Sequence, residues 1–70
     1  MKEECIKNNV YECRAKLGLT QEQLAEKVGV TRQTIIAIER GNYTPSVLLA
    51  LKLSEVFSVP VETLFSICYE

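Results

Sequence analysis

Residues 20 to 41 constrain the fold more than any other part of this 70-residue chain. Their sequence is TQEQLAEKVGVTRQTIIAIERG, in which two apolar repeats with helical spacing are separated by Gly29. Thr20, followed three residues later by Gln23, has the pattern of a capping box, and Thr31 precedes the second repeat as an N-cap. A glycine between the repeats suits a positive φ that turns the chain sharply. The stretch therefore predicts two short helices joined by a tight turn.

Comparable patterns predict three more helices, which gives an all-α fold class with five helices in a single domain, residues 1–70. An apolar 3-4 rhythm predicts the first helix from about Ile6 to Leu17, with Gly18 ending it. A fourth helix is expected after the N-cap Ser46, and a short fifth one near Pro60, which suits the first helical position. Sustained period-2 alternation is absent from the sequence, so no strand is predicted.

The net charge of −1 and the pI near 5.4 argue at first sight against a nucleic-acid partner, because such domains are commonly basic. The charge is unevenly distributed, however. Residues 14–43 hold five basic and three acidic side chains, and the compensating negative charge lies in the two flanking segments. The central part of the chain is therefore the part suited to a polyanion.

The three cysteines are odd in number and lack metal-type spacing, and the sequence has no histidine to complete a zinc site. Three reduced thiols in a cytoplasmic protein are the simplest interpretation. Cys13 is expected to act as a small buried hydrophobe. Cys5 and Cys68 leave a disulfide or a redox sensor open as the alternative. No apolar run is long enough to span a bilayer. The sequence therefore predicts no membrane partner, and it predicts no metal and no cofactor.

The two central helices have the form of a helix-turn-helix, whose second helix enters the major groove of DNA. Leu24, Val28, Val30, Ile35 and Ile38 are expected inside this unit, with the small Ala25 where the helices approach. Side chains left on the outer face are suited to base edges and phosphates, since Arg pairs with guanine, Gln with adenine, and apolar groups with the thymine methyl. They are Thr31, Arg32, Gln33, Thr34, Ile36, Ala37 and Arg40.

Simpler interpretations exist for several of these residues. Arg32, Gln33 and Thr34 would also suit a solvated helix start, and Arg40 a cation that interacts with the helix dipole. Ile36 lies beside the core residue Ile35, so contact with the groove and burial are both open from the spacing alone.

The stretch LGLTQEQLAEKVGVTRQTIIAIERGNYTPS resembles the helix-turn-helix core of the Cro/cI (xenobiotic-response-element type) family of bacterial and phage transcriptional regulators. The resemblance continues through ALKLSEVFSVPVETLF and covers roughly residues 10 to 66. It implies a lambda-repressor-like domain that binds double-stranded DNA. It departs from the family at Cys13, where a core leucine is usual, at Leu48, where a polar residue usually faces water, and at Val59-Pro60-Val61, where Gly-Val-Ser or similar is common.

The same resemblance implies roles for individual residues. Gln21 matches a residue that contacts phosphate and supports a side chain of the recognition helix, and Arg14 and Glu39 match an interhelical salt bridge. Base-reading positions fall on Arg32, Gln33 and Thr34, whereas Arg40, Asn42 and Tyr43 fall where the chain passes the DNA backbone. Tyr43 is equally suited to covering the edge of the core.

A homodimer is expected because proteins of this kind read two half-sites about 10 base pairs apart and one small module would bind weakly. The resulting hypothesis is a repressor that occludes a promoter by binding a palindromic operator, since 70 residues leave no separate effector domain. An antitoxin or another protein-interaction module is the alternative, and no residue pattern suggests an enzyme. The residues expected at the dimer interface are Leu48, Val61, Leu64, Ile67 and Tyr69.

Overall fold

The computed structural model describes residues 4–69, which form five helices and a two-stranded sheet. The prediction of five helices is confirmed, but the all-α class is wrong, because a strand lies at each end of the described chain. The elements are β1 Glu4–Asn8, α1 Val10–Lys16, α2 Gln21–Val28, α3 Arg32–Glu39, α4 Val47–Phe57, α5 Val61–Leu64 and β2 Phe65–Tyr69.

The two strands pair antiparallel as a ribbon, with Ile6 opposite Ile67 and Asn8 opposite Phe65. The first helix consequently begins at Val10 and not at Ile6 as the apolar rhythm predicted. Asn8 explains the late start, because its side-chain oxygen accepts a hydrogen bond from the Val10 backbone N–H at 3.1 Å. Such local bonds compete with helix formation and are typical of asparagine just outside a helix.

A disulfide joins Cys5 and Cys68, which are a register pair of the ribbon with Cα atoms 5.2 Å apart. That separation lies within the usual range for bridged cysteines. The interpretation of all three cysteines as reduced thiols is therefore wrong for this pair, and the alternative of a disulfide holds. Cys13 is free and packs, partly buried, against the core.

The predicted helix starts are confirmed where side-chain capping was expected. Thr20 Oγ1 accepts from the Gln23 N–H at 3.0 Å, and Gln23 Oε1 accepts from the Thr20 N–H at 2.9 Å, which completes the capping box. Ser46 caps α4 in the same way by accepting from the Leu49 N–H at 3.1 Å. Gly29, with φ of 76°, makes the turn that follows α2.

The connection between α4 and α5 differs from the expectation. Ser58 takes the left-handed conformation with φ of 56°, at a position where glycine has no steric penalty. Pro60 is the N-cap of α5 and not its first helical residue, and α5 itself is a single turn. Phe65 begins β2 directly after this helix.

One apolar core lies between α2, α3 and α4 and is closed by α1 and α5. Leu17, predicted to be buried on α1, is instead 53% exposed, because it lies beyond the last turn of that helix. The core residues of the predicted helix-turn-helix are buried as expected, apart from the partly buried Val30. The buried set is Val10, Leu24, Ala25, Val28, Ile35, Ile38, Leu49, Leu53, Phe57 and Leu64.

Candidate nucleic-acid interface

Helix α3 presents one face to the core and the opposite face to solvent. Ile35 and Ile38 are fully buried, and they fix the rotation of the helix about its axis. Eight residues give a length of about 12 Å, comparable with the width of the DNA major groove. Among the predicted base-reading residues of α3, Arg32 and Gln33 are exposed, and Thr34, Ile36 and Ala37 are half-buried. The sequence-predicted face is therefore brought together as one surface.

The N-terminus of α3 is organised by two threonines. Thr31 Oγ1 accepts from the Thr34 N–H at 3.3 Å and lies 3.1 Å from Thr34 Oγ1. Capping satisfies an otherwise unpaired donor and holds both hydroxyl groups at the end of the helix. Thr31 thus has a structural role, while Arg32 and Gln33 next to it remain exposed.

A salt bridge between Arg14 and Glu39 connects α1 to α3, as the resemblance implied. Arg14 Nε lies 2.7 Å from Glu39 Oε2, and the two side chains are only 13% and 8% exposed. Gln21 Nε2 donates to Glu39 Oε1 at 3.1 Å, which ties the start of α2 to the same carboxylate. Arg14 also donates to the Leu19 carbonyl at 2.8 Å. These contacts fix α3 relative to α1 and α2.

The hydrogen bond to Glu39 raises the pKa of Arg14 above its ordinary value, although burial of the guanidinium opposes this effect. A raised pKa in the folded state means that the charged form stabilises the fold at every pH below the ordinary range of arginine. The positive charge of Arg14 is therefore constant over the pH range in which proteins are normally studied.

The segment after α3 turns away from the helix at Gly41, whose φ is 79°. The Asn42 N–H donates to the Ala37 carbonyl at 2.9 Å, which holds this turn against the end of the helix. Arg40, Asn42 and Tyr43 are all exposed. Their side chains are therefore open to solvent at the C-terminal end of α3.

Asn8 attaches the ribbon to α3 through a contact that the sequence pattern does not indicate. Its Nδ2 donates to the Ile38 carbonyl at 2.9 Å, in the last turn of the helix. The two residues are 30 positions apart, so no local pattern links them. The neighbouring Asn9 bonds to α5, with its backbone N–H 2.9 Å from the Leu64 carbonyl.

The residues predicted at a dimer interface fall into two groups. Leu48, Ile67 and Tyr69 are 64%, 58% and 60% exposed, and Val61 is half-buried. The prediction is wrong for Leu64, which is fully buried in the core and presents no side-chain surface to a partner.

Two apolar residues beside Leu48 were missed. Val47 is 76% exposed and Leu51 is 50% exposed, and together with Leu48 they form an apolar stripe on the first turns of α4. The sequence contains the relevant pattern, because five consecutive apolar residues from 47 to 51 cannot all face the core from one helix.

Tyr43 lies between the ribbon and the start of α4. It lines a groove of about 410 Å³ together with Ile6, Phe65 and Ile67, and it also lines a hollow beside Leu48 at the start of α4. The hollows on the two sides of Tyr43 therefore adjoin exposed apolar side chains of the ribbon and of α4.

Among residues 4–69, no set of three or more His, Cys, Asp or Glu side chains is grouped as metal ligands would be. In the same part of the chain, no helix combines the length and the apolar character that crossing a bilayer requires.

The sequence profile of the helix-turn-helix family matches residues 10–64. The chain belongs to this family, which is of the Cro/cI type. An uncharacterised HTH-type transcriptional regulator of Bacillus subtilis, YgzD, is 57% identical over 60 residues, which cover 86% of this chain and 91% of YgzD.

Solved structures share the fold of this helix-turn-helix protein. The restriction-modification controller protein C.AhdI from Aeromonas hydrophila aligns with a TM-score of 0.72 and 31% identity, over 79% of this chain and 83% of C.AhdI. A protein from Bacteroides fragilis aligns with a TM-score of 0.78, over 87% of this chain and 98% of the Bacteroides chain. Because the two sequences are only 24% identical, this match bears on the fold alone.

Proposed function

We propose that this protein is a sequence-specific regulator of transcription that binds double-stranded DNA as a homodimer and represses by occupying a palindromic operator. The observation that carries the proposal is the division of α3 into two faces. Ile35 and Ile38 are fully buried, while Arg32 and Gln33 at the start of the same helix are exposed. Membership of a family of transcriptional regulators supports the same conclusion.

Direct base contacts are assigned to the first turns of α3. Arg32 is suited to the O6 and N7 acceptors of guanine, and Gln33 to N6 and N7 of adenine. Behind them, Ile36 and Ala37 present apolar atoms of the kind that contact a thymine methyl group. Thr31 and Thr34 place two hydroxyl groups at the helix end, where they can contact a base or a phosphate.

Phosphate contacts are assigned to residues on both sides of α3. Gln21 is the first residue of α2, where backbone N–H groups and the helix dipole favour an anion. Since its Nε2 already donates one hydrogen bond to Glu39, the side chain is held in place before DNA arrives. Arg40, Asn42 and Tyr43 would contact the backbone at the other end of the recognition helix.

The dimer interface is assigned to the exposed apolar side chains of α4 and of the ribbon. Val47 and Leu51 belong to it because both are exposed, whereas the fully buried Leu64 does not. Exposed apolar side chains that adjoin one another commonly mark a protein interface. A two-fold axis through this surface would place two copies of α3 for a palindromic site, as in other helix-turn-helix dimers. Occupying an operator requires DNA binding alone, so occlusion is the simplest mechanism of repression. The residues of the proposed interface are Val47, Leu48, Leu51, Val61, Ile67 and Tyr69.

Selection of bound sequences from a random DNA pool at fixed salt would test the proposal. We expect a palindrome whose half-sites are about 10 base pairs apart, centre to centre. Failure to enrich any sequence would contradict the proposed function. A protein-interaction role such as that of an antitoxin would then be the better hypothesis, because the apolar surface would still require a partner.

Matched substitutions would separate base reading from phosphate contact. Arg32→Ala or Gln33→Ala should weaken binding to the selected site by about 1–3 kcal/mol and relax the preference at one base pair of each half-site. Arg40→Ala should instead weaken binding to all sequences alike and reduce the salt dependence by about one ion per site. Gel-shift titrations on the selected site and on single-base variants would measure both effects. Undiminished discrimination by both Arg32→Ala and Gln33→Ala would rule out these base contacts.

A further inference from the structure

Two cysteines at the far end of the ribbon form a site that the proposed function does not use. Cys5 and Cys68 are a register pair, and their disulfide spans 63 positions of the sequence. Both residues are half-buried and therefore partly open to solvent, a condition for attack by a small thiol. Disulfides are rare in reducing compartments, where most are transient and serve catalysis or redox sensing.

The ribbon is held firmly at one end only. At the Asn8 end, Asn8 bonds to the Ile38 carbonyl, and Asn9 Nδ2 donates to the Thr63 carbonyl at 2.9 Å. At the other end, the side chain of Tyr69 is 60% exposed and contributes little packing within its own chain. A two-stranded ribbon is marginally stable without further support. The disulfide supplies that support, so its reduction should fray the outer register pairs.

Fraying would change the surroundings of the segment that follows α3. Cys5, Ile6 and Ile67 form one wall of the 410 Å³ groove, and the other wall includes Gly41 and Tyr43. Tyr43 is itself one of the residues assigned to the DNA backbone. A disordered ribbon would therefore leave residues 41–44 less restrained before DNA binds, and ordering them would then reduce the affinity.

We propose that Cys5 and Cys68 form a redox modification site for low-molecular-weight thiols and disulfides, and that their disulfide strengthens DNA binding by ordering the ribbon. The DNA part of this proposal rests on the proposed function. A thiolate of one cysteine attacks a small disulfide RSSR, which forms a protein mixed disulfide and releases RS⁻. The thiolate of the other cysteine then attacks the protein sulfur and releases the second thiol. Two electrons pass from the cysteines to RSSR, and an excess of RSH reverses the reaction.

The first test measures the thiols in buffers of reduced and oxidised glutathione at set ratios. After quenching with iodoacetamide, the intact mass reports how many cysteines are blocked. We expect three blocked cysteines under reducing conditions and one, Cys13, under oxidising conditions. The midpoint should fall within the glutathione range. A pair that stays oxidised in every buffer, or never oxidises, would overturn the proposal.

The second test measures order in the ribbon by amide hydrogen exchange and thermal unfolding. Oxidation should slow exchange at Ile6 and Ile67 and at residues 41–44, and it should raise the unfolding midpoint by on the order of 10–20 °C. The double variant Cys5→Ser, Cys68→Ser should behave like the reduced protein in every buffer. Cys13→Ala keeps the pair and should respond like the unchanged chain. Equal exchange in the two redox states would show that the disulfide does not order the ribbon.

The third test titrates the selected operator with oxidised and reduced protein. The oxidised form should bind at least about fivefold more tightly, the lower end of usual coupling between sites, and the double variant should show no redox dependence. Equal binding by both forms would overturn the coupling while leaving the proposed function intact. If neither form binds DNA, the proposed function fails, and the mass and exchange measurements still decide whether the disulfide is a reversible switch of ribbon order.

Discussion

Ser58 is the one residue other than glycine that has a positive φ among residues 4–69. The left-handed conformation brings Cβ close to the following carbonyl oxygen and costs about 1–2 kcal/mol in a residue with a side chain. The end of α4 holds Ser58 in this conformation, because the Ser58 N–H donates to the Glu55 carbonyl at 3.3 Å. The left-handed conformation of Ser58 therefore ends the helix at the cost of local backbone strain.

Ser58→Gly should raise the free energy of unfolding by about 0.5–1 kcal/mol, because removing Cβ relieves more strain than the added flexibility of the unfolded chain offsets. Urea denaturation followed by circular dichroism would measure the change. Ser54→Gly is the matched control, since Ser54 lies inside α4 and donates to the Leu51 carbonyl at 2.9 Å. That variant should be destabilised by about 1 kcal/mol. A loss of stability in both variants would contradict the explanation given for Ser58.

Between elements, the hydrogen bonds of Glu39 hold the first three helices together. Glu39→Gln should lower the free energy of unfolding by about 3 kcal/mol, because it leaves the largely buried charge of Arg14 without its counter-ion. Urea unfolding would measure the loss. Glu26→Gln, on the exposed side of α2, makes the same chemical change and should shift stability by less than about 0.5 kcal/mol. Similar losses in the two variants would show that the salt bridge does not stabilise the fold.

Elements whose determinants are local could be predicted from the sequence, and the ribbon could not. The capping residues Thr20, Thr31 and Ser46 act within three residues of their partners, and Gly29 acts through its own backbone. By contrast, β1 exists because it pairs with a strand about 60 positions away. The apolar rhythm of residues 6–17 suited a helix equally well until that pairing was known.

The candidate site was predictable to a similar extent. The spacing of Ile35 and Ile38 predicted which face of α3 is free. The resemblance predicted the ion pair of Glu39 with Arg14. The hydrogen bond from Asn8 to the Ile38 carbonyl could not be predicted, because it joins residues that only the tertiary fold brings together. Leu64 was misplaced because an apolar residue on a one-turn helix is compatible with either the core or an interface.

For the molecule as a whole, the apolar surface beside the recognition helix predicts self-association. Leu48→Glu should raise the dissociation constant of the dimer at least about tenfold, since it places a charge in an apolar contact. Sedimentation equilibrium would measure the dimer, and gel shifts would measure the accompanying loss of operator affinity. Leu17→Glu is the matched control, because Leu17 is also exposed but lies after α1, outside the proposed interface. If Leu48→Glu leaves the dissociation constant of the dimer unchanged, the interface lies elsewhere on the molecule.

The disulfide between Cys5 and Cys68 also changes the topology of the molecule. Together with the backbone, it closes a ring that passes through all five helices. Within that ring, unravelling cannot proceed inward from either strand of the ribbon. We expect global unfolding of the oxidised protein to start at an internal segment, and the exposed turn of residues 41–44, which follows α3, is a suitable place. Contacts made there by DNA would then oppose the first step of unfolding.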